Sequence, residues 1–416
     1  MTSTILADVG VSSANPYTPA MTDLRQDIEL LAEVCGQCVA RSDGRQQTEE
    51  GDKRWRNGVA SHPDPVSLVS VAEQHGVLPL LARALSAAGI ACETAQARAR
   101  QIAFRNLALA AELVKLTSAL REHKIPVLAY KGPVLGQQLY GDATLRQFRD
   151  LDILVAPADA LRTSEVLRQL GYEDVAPFSP SLLRKHVASQ CEWQMAGADT
   201  GTLIELHWAL FPRYASFDLS FDELRRASVE IAIAGEAVRA PALDHLALAL
   251  SAHGTKHFWY RLGWLVDFAL VMRDRADADA DQLLGDAVGR GMRRILLTSV
   301  ALANRVLKMK LTTTFKGAIE ADPVAQVLAN HMQQSLFSEA RPEDLLTENV
   351  SFLRTRERWS DRAKIVSRLA FTPGPEEWRL ITLPEWAGWL YRPLRMARAA
   401  RYAPRIVQRA FSFRKP

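Results

Sequence analysis

The most informative stretch of this chain is an apolar segment that begins on two closely spaced acids, Asp150-Leu151-Asp152-Ile153-Leu154-Val155. Its pattern predicts a β-strand, on which Asp150 and Asp152 point to the same face, since side chains alternate with a period of two. Two carboxylates held so close repel each other unless a cation lies between them, which makes the pair a candidate divalent-metal site. The alternative is a strand end at the surface that carries two solvated acids.

The residues before this run favour the metal site. A preceding apolar strand is predicted to end in a turn at Lys131-Gly132, after which Pro133 opens a helix. Such a turn directs backbone N–H groups and a helix N-terminus toward an anion, with the Lys131 cation beside it. Arg146 and Arg149 add two cations close in sequence to the acids. These groups together suit a nucleoside triphosphate, because a metal bridges phosphate oxygens to carboxylates.

With Tyr140 added, these residues resemble the motif of the polymerase-β-like nucleotidyltransferase superfamily. More narrowly, they are similar to a bacterial group whose motif runs Lys-Gly, Tyr, Arg and Asp-x-Asp-hydrophobic. The superfamily carries a third carboxylate on a neighbouring strand, and Glu205 stands in a matching run, 203–208. The sequence departs from the superfamily in two respects. Lys131-Gly132 replaces the usual Gly-Gly or Gly-Ser pair, and the gap to Asp150 is longer than in minimal members.

The resemblance implies an enzyme that transfers a nucleoside monophosphate from an NTP to an acceptor, with Mg²⁺ or Mn²⁺ as cofactor. It assigns the catalytic and metal-ligating roles to Asp150, Asp152 and Glu205. It assigns nucleotide binding to Lys131, Gly132, Arg146, Arg149, Lys256, His257 and Arg261. Asp267 is expected to orient Arg261 or to cap a turn. His207 shares the predicted strand face of Glu205. A role in the site and a structural hydrogen bond at the sheet edge are equal alternatives for this histidine.

Bulk composition indicates a globular protein of two or three domains, with 416 residues, 48% hydrophobic and 24% charged. The net charge of +4 permits anionic substrates without demanding nucleic acid. Four cysteines are too few and too scattered for a disulfide scaffold, and the Cys35-x-x-Cys38 pair is interpreted as part of a helix face. The sequence shows neither a secretory signal nor a membrane-spanning segment, so we expect a cytoplasmic protein.

Hydrophobic periodicity predicts an α+β fold that is mostly helical, with a small mixed-sheet nucleotidyltransferase lobe between two helical lobes. The predicted divisions are a disordered leader over 1–22, an N-terminal helical lobe over 23–122, the catalytic lobe over 123–240, a C-terminal helical lobe over 241–345 and a tail over 346–416. His253 and His257 have the i, i+4 spacing of zinc ligands. The glutamate of the zincin motif is missing, so a metal role for them is the minor alternative.

The tail combines aromatic and basic residues. Trp378, Trp386, Trp389 and Tyr391 precede eight cations: Arg392, Arg395, Arg398, Arg401, Arg405, Arg409, Arg414 and Lys415. Such a segment fits the surface of an anionic membrane or the phosphates of RNA, while the alternative is a solvated helix docked by its apolar side. We interpret the tryptophans as packing residues and the arginines as functional ones.

Three functions remain open from the sequence. The first is nucleotidyl transfer to a small molecule, a sugar or a peptide, and the second is a toxin-like nucleotidyltransferase that acts on tRNA or other RNA. The third is a non-catalytic module that binds nucleotide or a partner. The acceptor, the NTP and the oligomeric state are not determined by these patterns.

Overall fold

The computed structural model describes residues 23–41, 49–176, 180–211, 219–273, 275–338, 352–381 and 383–400. The predicted leader, 1–22, and the last part of the basic tail, 401–416, lie outside the described residues.

In the described part of the chain, five helices precede the sheet: α1 (Asp23–Arg41), α2 (Glu49–Ala60), α3 (Pro65–Gln74), α4 (Leu78–Ala87) and the long α5 (Glu93–Glu122). Asp64 begins α3 through a side chain that accepts hydrogen bonds from two backbone N–H groups, with Pro65 in the first turn. The Cys35-x-x-Cys38 pair lies within α1, which confirms the predicted helix, and the two cysteines do not form a disulfide.

The central sheet has five strands: β1 (Val127–Ala129), β2 (Asp150–Val155), β3 (Tyr172–Asp174), β4 (Glu192–Gly197) and β5 (Leu203–His207). Their order is β1-β2-β5-β4-β3. Strands β2 and β5 are parallel, and the other neighbours are antiparallel, so the sheet is mixed as predicted. The parallel register sets Asp152 opposite Glu205.

The helices between the strands are α6 (Gly132–Tyr140), α7 (Ala160–Gln169) and α8 (Pro180–Ser189), followed after the sheet by α9 (Phe221–Arg226). A hairpin of β6 (Val229–Ile233) and β7 (Glu236–Ala240) comes next. Its turn residues, Ala234 and Gly235, both have positive φ, the geometry of a tight hairpin turn.

The remaining described helices are α10 (Leu243–Lys256), α11 (Leu262–Met272), α12 (Asp277–Gly289), α13 (Arg293–Leu307), α14 (Thr313–Glu320), α15 (Pro323–Leu336), α16 (Trp359–Phe371) and α17 (Pro375–Leu380). A 3-10 helix, Glu385–Leu390, leads into a helical segment over 391–400. The architecture is therefore the α+β, mostly helical fold that the sequence predicted. Among the described helices, none is both long and apolar enough to cross a membrane.

The two faces of β2 belong to two hydrophobic cores. Leu151, Ile153 and Val155 pack in a core with α5 and α7, whereas Leu154 packs in a larger core built by helices from both ends of the chain. At Gly36, a Cβ would lie 2.7 Å from the carbonyl oxygen of Leu307, so α1 and α13 approach closely. Asp152 shares the face of Leu154, so period-two alternation turns it toward the larger core. The division into domains stays a prediction.

Candidate active site

Three side chains meet on one face of the sheet, where β2 and β5 lie side by side. One ligand atom each from Asp152, Glu205 and His207 lie within 4.8 Å of one another. Asp152 and Glu205 are directly paired across the parallel strands, and His207 follows Glu205 by two residues on the same face. Asp150 precedes this group on β2 but does not belong to it.

Lys131 reaches into the group from the start of α6. Its Nζ donates a hydrogen bond to Oδ1 of Asp152 at 3.0 Å. Burial alone would lower the pKa of Lys131, but the charge of Asp152, reinforced by Glu205 and Asp150, raises that pKa well above its ordinary value. The lysine is therefore a fixed cation among the carboxylates.

Gly132 permits this approach, because its φ of +56° lies in the left-handed region that favours glycine. A Cβ there would come within 3.4 Å of the backbone oxygen of Asp150. The turn thus brings the first residue of α6 against the strand that carries the acids, as the sequence indicated.

The two aspartates of β2 have opposite protonation tendencies. Burial, followed by the charges of Asp152 and Glu205, raises the pKa of Asp150 to about 6. Burial also acts to raise the pKa of Asp152, but Lys131 and His207 outweigh it, and the pKa falls well below the usual range. Asp152 is accordingly the carboxylate that stays ionised at every physiological pH.

His207 is 2% exposed and lies between acids on two sides. Its Nε2 is 3.4 Å from Oδ1 of Asp152 and 3.4 Å from Oε2 of Glu205, and its Nδ1 is 3.6 Å from Oε2 of Glu192. Among the described residues, neither ring nitrogen has a partner with hydrogen-bond geometry. Burial would lower the pKa of His207, but Asp152 and Glu205 raise it to about 9.

Gln194 fixes Glu205 from β4, where the antiparallel register places the two residues opposite each other. Its side-chain amide donates to Oε1 of Glu205 at 3.0 Å. Sequence patterns did not single out Gln194 or Glu192, because their proximity arises from strand pairing between distant segments.

Arg146 makes a different contact from the one expected. Its Nε donates to Oδ2 of Asp267 at 2.9 Å, and Tyr140 donates to the other oxygen, Oδ1, at 2.7 Å. Asp267 lies within α11 and therefore binds Arg146 and Tyr140, rather than orienting Arg261 or capping a turn. The charge of Asp152 still acts on the pKa of Arg146, so the pair lies near the carboxylate group.

Arg261 precedes α11 and lies in a cleft that it shares with Arg146 and Trp264. Its Nε donates to the backbone oxygen of Gln74 at 3.3 Å, which joins it to the N-terminal helices. Burial, with Arg261 as a second cause, lowers the pKa of the neighbouring His75 to about 4. Arg261 thus lines the cleft and contacts the N-terminal helices.

The other predicted nucleotide-binding residues divide between the site and the surface. Lys256 ends α10, and the His257 that follows packs its ring against His253 and Trp264. Burial, then the charges of Lys256 and Lys131, lowers the pKa of His257. Arg149 is exposed. Burial, followed by the charge of Arg149, lowers the pKa of Arg105.

His253 and His257 do not form a zinc site with a third ligand among the described residues. Their ring centroids lie 4.9 Å apart, and that of His253 lies 4.8 Å from Trp264. Burial, followed by Lys131, lowers the pKa of His253 well below its ordinary value. Neutral, packed rings agree with the structural alternative.

The described part of the tail docks through side chains of both kinds. Trp378 is buried, with its ring 6.0 Å from that of His186. Arg395 and Arg398 form ion pairs with the buried Glu377. Trp386 and Trp389, in contrast, are exposed. Trp378 therefore agrees with the interpretation of the tryptophans as packing residues, whereas the exposed Trp386 and Trp389 contradict it. The functional role of the arginines stays a prediction.

A comparison with protein families matches residues 61–308 to the family described as uncharacterised nucleotidyltransferase. The chain belongs to this family. The match spans more than half of the chain and contains the sheet, the carboxylates, Lys131 and Arg261, so the protein is a nucleotidyltransferase. The tail lies outside it.

Two solved structures of ANT(2'')-Ia also match. One is a solution structure of this antibiotic-resistance factor, with 14% identity and a TM-score of 0.33, covering 44% of this chain and 92% of that one. The other is a crystal structure with adenylyl-2''-tobramycin, with 15% identity and a TM-score of 0.31, covering 44% of this chain and 98% of that one. Curated proteins give no significant match.

Proposed function

We propose that the protein transfers a nucleoside monophosphate from an NTP to a hydroxyl acceptor, at the junction of β2 and β5. The observation that carries the proposal is the register of these strands, which sets Glu205 beside Asp152 with Lys131 in contact. Three carboxylates and an ammonium group in a buried site match the needs of a metal-bound triphosphate. Family membership supports the same reaction class.

The donor set supports a divalent metal. Asp150, Asp152 and Glu205 supply carboxylate oxygens, and the pKa of Asp150 is raised first by burial and then by the charges of the other two acids. A dication held by these acids neutralises phosphate charge and acts as a Lewis acid.

The phosphates are held, in this proposal, by Lys131 and the N-terminus of α6. The backbone N–H groups of the first helical turn lack partners within the helix, and the helix dipole favours an anion there. Lys131 lies at the same end and contributes its ammonium group. On binding, the lysine would be shared between Asp152 and the terminal phosphates.

The remaining groups serve proton transfer and the nucleoside. Glu205 is the proposed acceptor of the hydroxyl proton, since it is less buried than Asp152 and is oriented by Gln194. Arg146 and Arg261 line the adjacent cleft and are proposed to face the nucleotide, together with His257, which packs against Trp264 of the same cleft, and its neighbour Lys256. Arg149, on the surface, is proposed to contact the outer phosphates.

A small acceptor fits the described residues better than RNA does. Arg395 and Arg398 form ion pairs with Glu376 and Glu377, so part of the basic tail is neutralised within the fold. Salt-dependent RNA binding requires cations that meet phosphates. A small molecule, a sugar or a peptide is therefore the proposed acceptor class, and RNA is an outcome that the experiment distinguishes.

The experiment combines binding and turnover. Calorimetry with a non-hydrolysable NTP and Mg²⁺ or Mn²⁺ would compare the wild type with Asp150→Asn/Asp152→Asn. Asp174→Asn is the matched control, because Asp174 lies on β3 of the same sheet and pairs with Arg168. We expect tight binding in the wild type and the control, and a loss of at least about 100-fold in the double variant.

Turnover is then measured as label transferred from α-labelled NTPs to an acceptor, with unlabelled pyrophosphate release assayed in parallel, and total RNA or RNA-free cell extract serves as the source of acceptor. Label in the extract's small molecules or peptides supports the proposal, and label in RNA supports the alternative. NTP binding without pyrophosphate release under either condition supports a non-catalytic module. If the double variant bound NTP and metal as tightly as the wild type, the proposed site would be wrong.

A further inference from the structure

We infer that His207 is itself a metal ligand, and that the site consequently prefers a first-row transition-metal dication such as Mn²⁺ to Mg²⁺. This inference rests on the proposed function, because it concerns the cofactor of the same site. The ligand set is Asp152, Glu205 and His207, with Asp150 beside it.

The distances between His207 and the two acids are those of metal ligands rather than of hydrogen bonds. Nε2 of His207 lies 3.4 Å from both Oδ1 of Asp152 and Oε2 of Glu205. Good N–H···O hydrogen bonds are shorter, with donor and acceptor about 2.9–3.0 Å apart. Two ligand atoms that each lie about 2.1 Å from a dication are separated by about 3.4 Å at a tetrahedral angle. The two distances from Nε2 therefore fit ligands around a common centre, and one ligand atom from each of the three residues lies within 4.8 Å of the other two.

The buried ring nitrogens of His207 make no hydrogen bond among the described residues. The residue is 2% exposed, and neither ring nitrogen has a hydrogen-bond partner among the described residues. A buried polar atom without a partner costs about 1–3 kcal/mol, so such a group calls for an explanation. Coordination through Nε2 would supply the missing partner.

A further carboxylate, that of Glu192, lies near the second ring nitrogen of His207. Oε2 of Glu192 lies 3.6 Å from Nδ1, on the side away from Asp152 and Glu205. Histidine ligands generally direct their second nitrogen to a carboxylate or carbonyl, which fixes the tautomer that presents a lone pair to the metal. Glu192, His207 and the two acids form this arrangement in order.

The ligand chemistry then selects the ion. Mg²⁺ prefers oxygen ligands and is usually bound by one or two carboxylates together with substrate phosphates and water. Imidazole nitrogen suits transition metals, whose affinity for mixed nitrogen and oxygen sites exceeds that of Mg²⁺. The site is therefore expected to bind Mn²⁺ before any nucleotide arrives, and Mg²⁺ only weakly without one.

The test measures metal binding to the full-length protein without nucleotide. Mn²⁺ and Mg²⁺ are titrated by calorimetry into the wild type, His207→Gln and His62→Gln. His62 is the matched control, since it is a largely buried histidine beside one acid, Asp27, at 2.6 Å. We expect Mn²⁺ affinity to fall at least about 10-fold in His207→Gln and to stay unchanged in His62→Gln. Circular dichroism establishes that both variants are folded.

A spectroscopic readout makes the ligand assignment direct. Electron spin echo spectra of bound Mn²⁺ should contain ¹⁴N modulation in the wild type that is absent in His207→Gln. Unchanged Mn²⁺ affinity in a folded His207→Gln, or no ¹⁴N modulation in the wild type, overturns the inference.

The two proposals fail separately. If His207→Gln keeps NTP binding and pyrophosphate release with Mg²⁺ and loses no Mn²⁺ affinity, the inference is wrong and the proposed function stands. If Mn²⁺ binds through His207 but the wild type binds no NTP, the proposed function is wrong and the metal site stands.

A second observation, independent of the metal site, concerns the tail. Trp386 and Trp389 are 81% and 64% exposed and stand three residues apart on the 3-10 helix Glu385–Leu390. In a 3-10 helix, side chains at i and i+3 lie one above the other. Ala387, between them, is buried. The helix thus packs on the protein by one side and presents two tryptophans on the other.

We propose that this face binds the surface of an anionic lipid bilayer. Leu380 and Ile381, just before the 3-10 helix, are 63% and 48% exposed. From 386 to the end, the sequence contains eight lysines and arginines and no acid, and two of these cations, Arg395 and Arg398, pair with Glu376 and Glu377. Tryptophan prefers the membrane interface, and basic residues are attracted to anionic headgroups. Exposed aliphatic side chains favour lipid over RNA, since RNA offers them no apolar partner.

The experiment is co-sedimentation of the full chain with vesicles of phosphatidylcholine, with and without 30% phosphatidylserine. Trp386→Ser/Trp389→Ser is compared with Phe104→Ser/Leu107→Ser, which removes two exposed apolar residues from α5. We expect binding to the anionic vesicles only, reduced at least about 10-fold in the tryptophan variant and unchanged in the control. Equal binding by both variants, or binding to RNA instead of vesicles, overturns the proposal.

Discussion

Two buried ion pairs lie at the two ends of α6. Lys131, which begins the helix, pairs with Asp152 at 3.0 Å, and Arg146, shortly after the helix, pairs with Asp267 at 2.9 Å. The aspartate side chains are 2% and 3% exposed. By distance and burial, the pairs are nearly identical.

Their surroundings differ. Both carboxylate oxygens of Asp267 accept a hydrogen bond, one from Arg146 and the other from Tyr140. Asp152 shares its space with Glu205, Asp150 and a histidine that lacks hydrogen bonds among the described residues. A completed pair can serve to hold α6 against α11, whereas an incomplete one retains capacity for a ligand. Burial and distance alone therefore do not tell a structural ion pair from a functional one.

The largest expected effect comes from breaking the completed pair. Asp267→Ala leaves the buried charge of Arg146 without a partner and should lower the free energy of unfolding by about 3–5 kcal/mol. Urea denaturation followed by circular dichroism measures the change. Asp174→Ala, which breaks a more exposed pair with Arg168, is the control and should cost less than about 1 kcal/mol. Equal losses in the two variants would contradict the prediction.

Breaking the other pair should be reversible by metal. Lys131→Met leaves Asp152 without its ammonium partner and should destabilise the protein by about 1–3 kcal/mol. At one fixed Mn²⁺ concentration, the ion should stabilise Lys131→Met more than the wild type, because removal of the lysine frees an oxygen of Asp152 for the ion and lowers its dissociation constant. The same titration monitored by thermal unfolding should not rescue Asp267→Ala beyond the shift seen in the wild type. Rescue of both variants alike would remove the distinction between the pairs.

The cleft beside Arg146 and Asp267 should make stability depend on pH through His75. Its folded pKa is lowered to about 4 by burial and by Arg261, so between pH 4 and about 6.5 the unfolded chain binds more protons than the folded one. The contribution of His75 to the free energy of unfolding therefore rises with pH across that window, by about 1–3 kcal/mol in all, and is constant above it. Unfolding curves of His75→Gln should lack this part of the slope, and an unchanged slope would refute the assignment.

The smallest effects separate the supporting residues. Gln194→Leu removes the donor to Glu205 and should weaken Mn²⁺ binding about 10-fold with little change in stability. Tyr140→Phe removes a donor to Asp267 and should cost about 1 kcal/mol of stability with no change in Mn²⁺ affinity. Calorimetry and urea denaturation on both variants test the cross-over. If Tyr140→Phe also weakened Mn²⁺ binding, the two ends of α6 would be coupled.

Local patterns were sufficient for the elements that carry the site. The alternation in 150–155 and 203–208 predicted β2 and β5, and Gly132-Pro133 predicted the start of α6. The roles assigned to Asp150, Asp152, Glu205 and the nucleotide-binding residues stay predictions. Their positions follow from local rules because strand and helix periodicity depend only on neighbouring residues.

The sequence by itself determined the fold class, the spacing of the acids on β2 and the turn that brings Lys131 beside them. The tertiary structure alone decided that His207 and Glu192 complete the group and that Asp267 takes Arg146. These contacts join residues 15–121 positions apart. Such contacts depend on strand register and on how helices from both ends of the chain pack, which no local periodicity encodes.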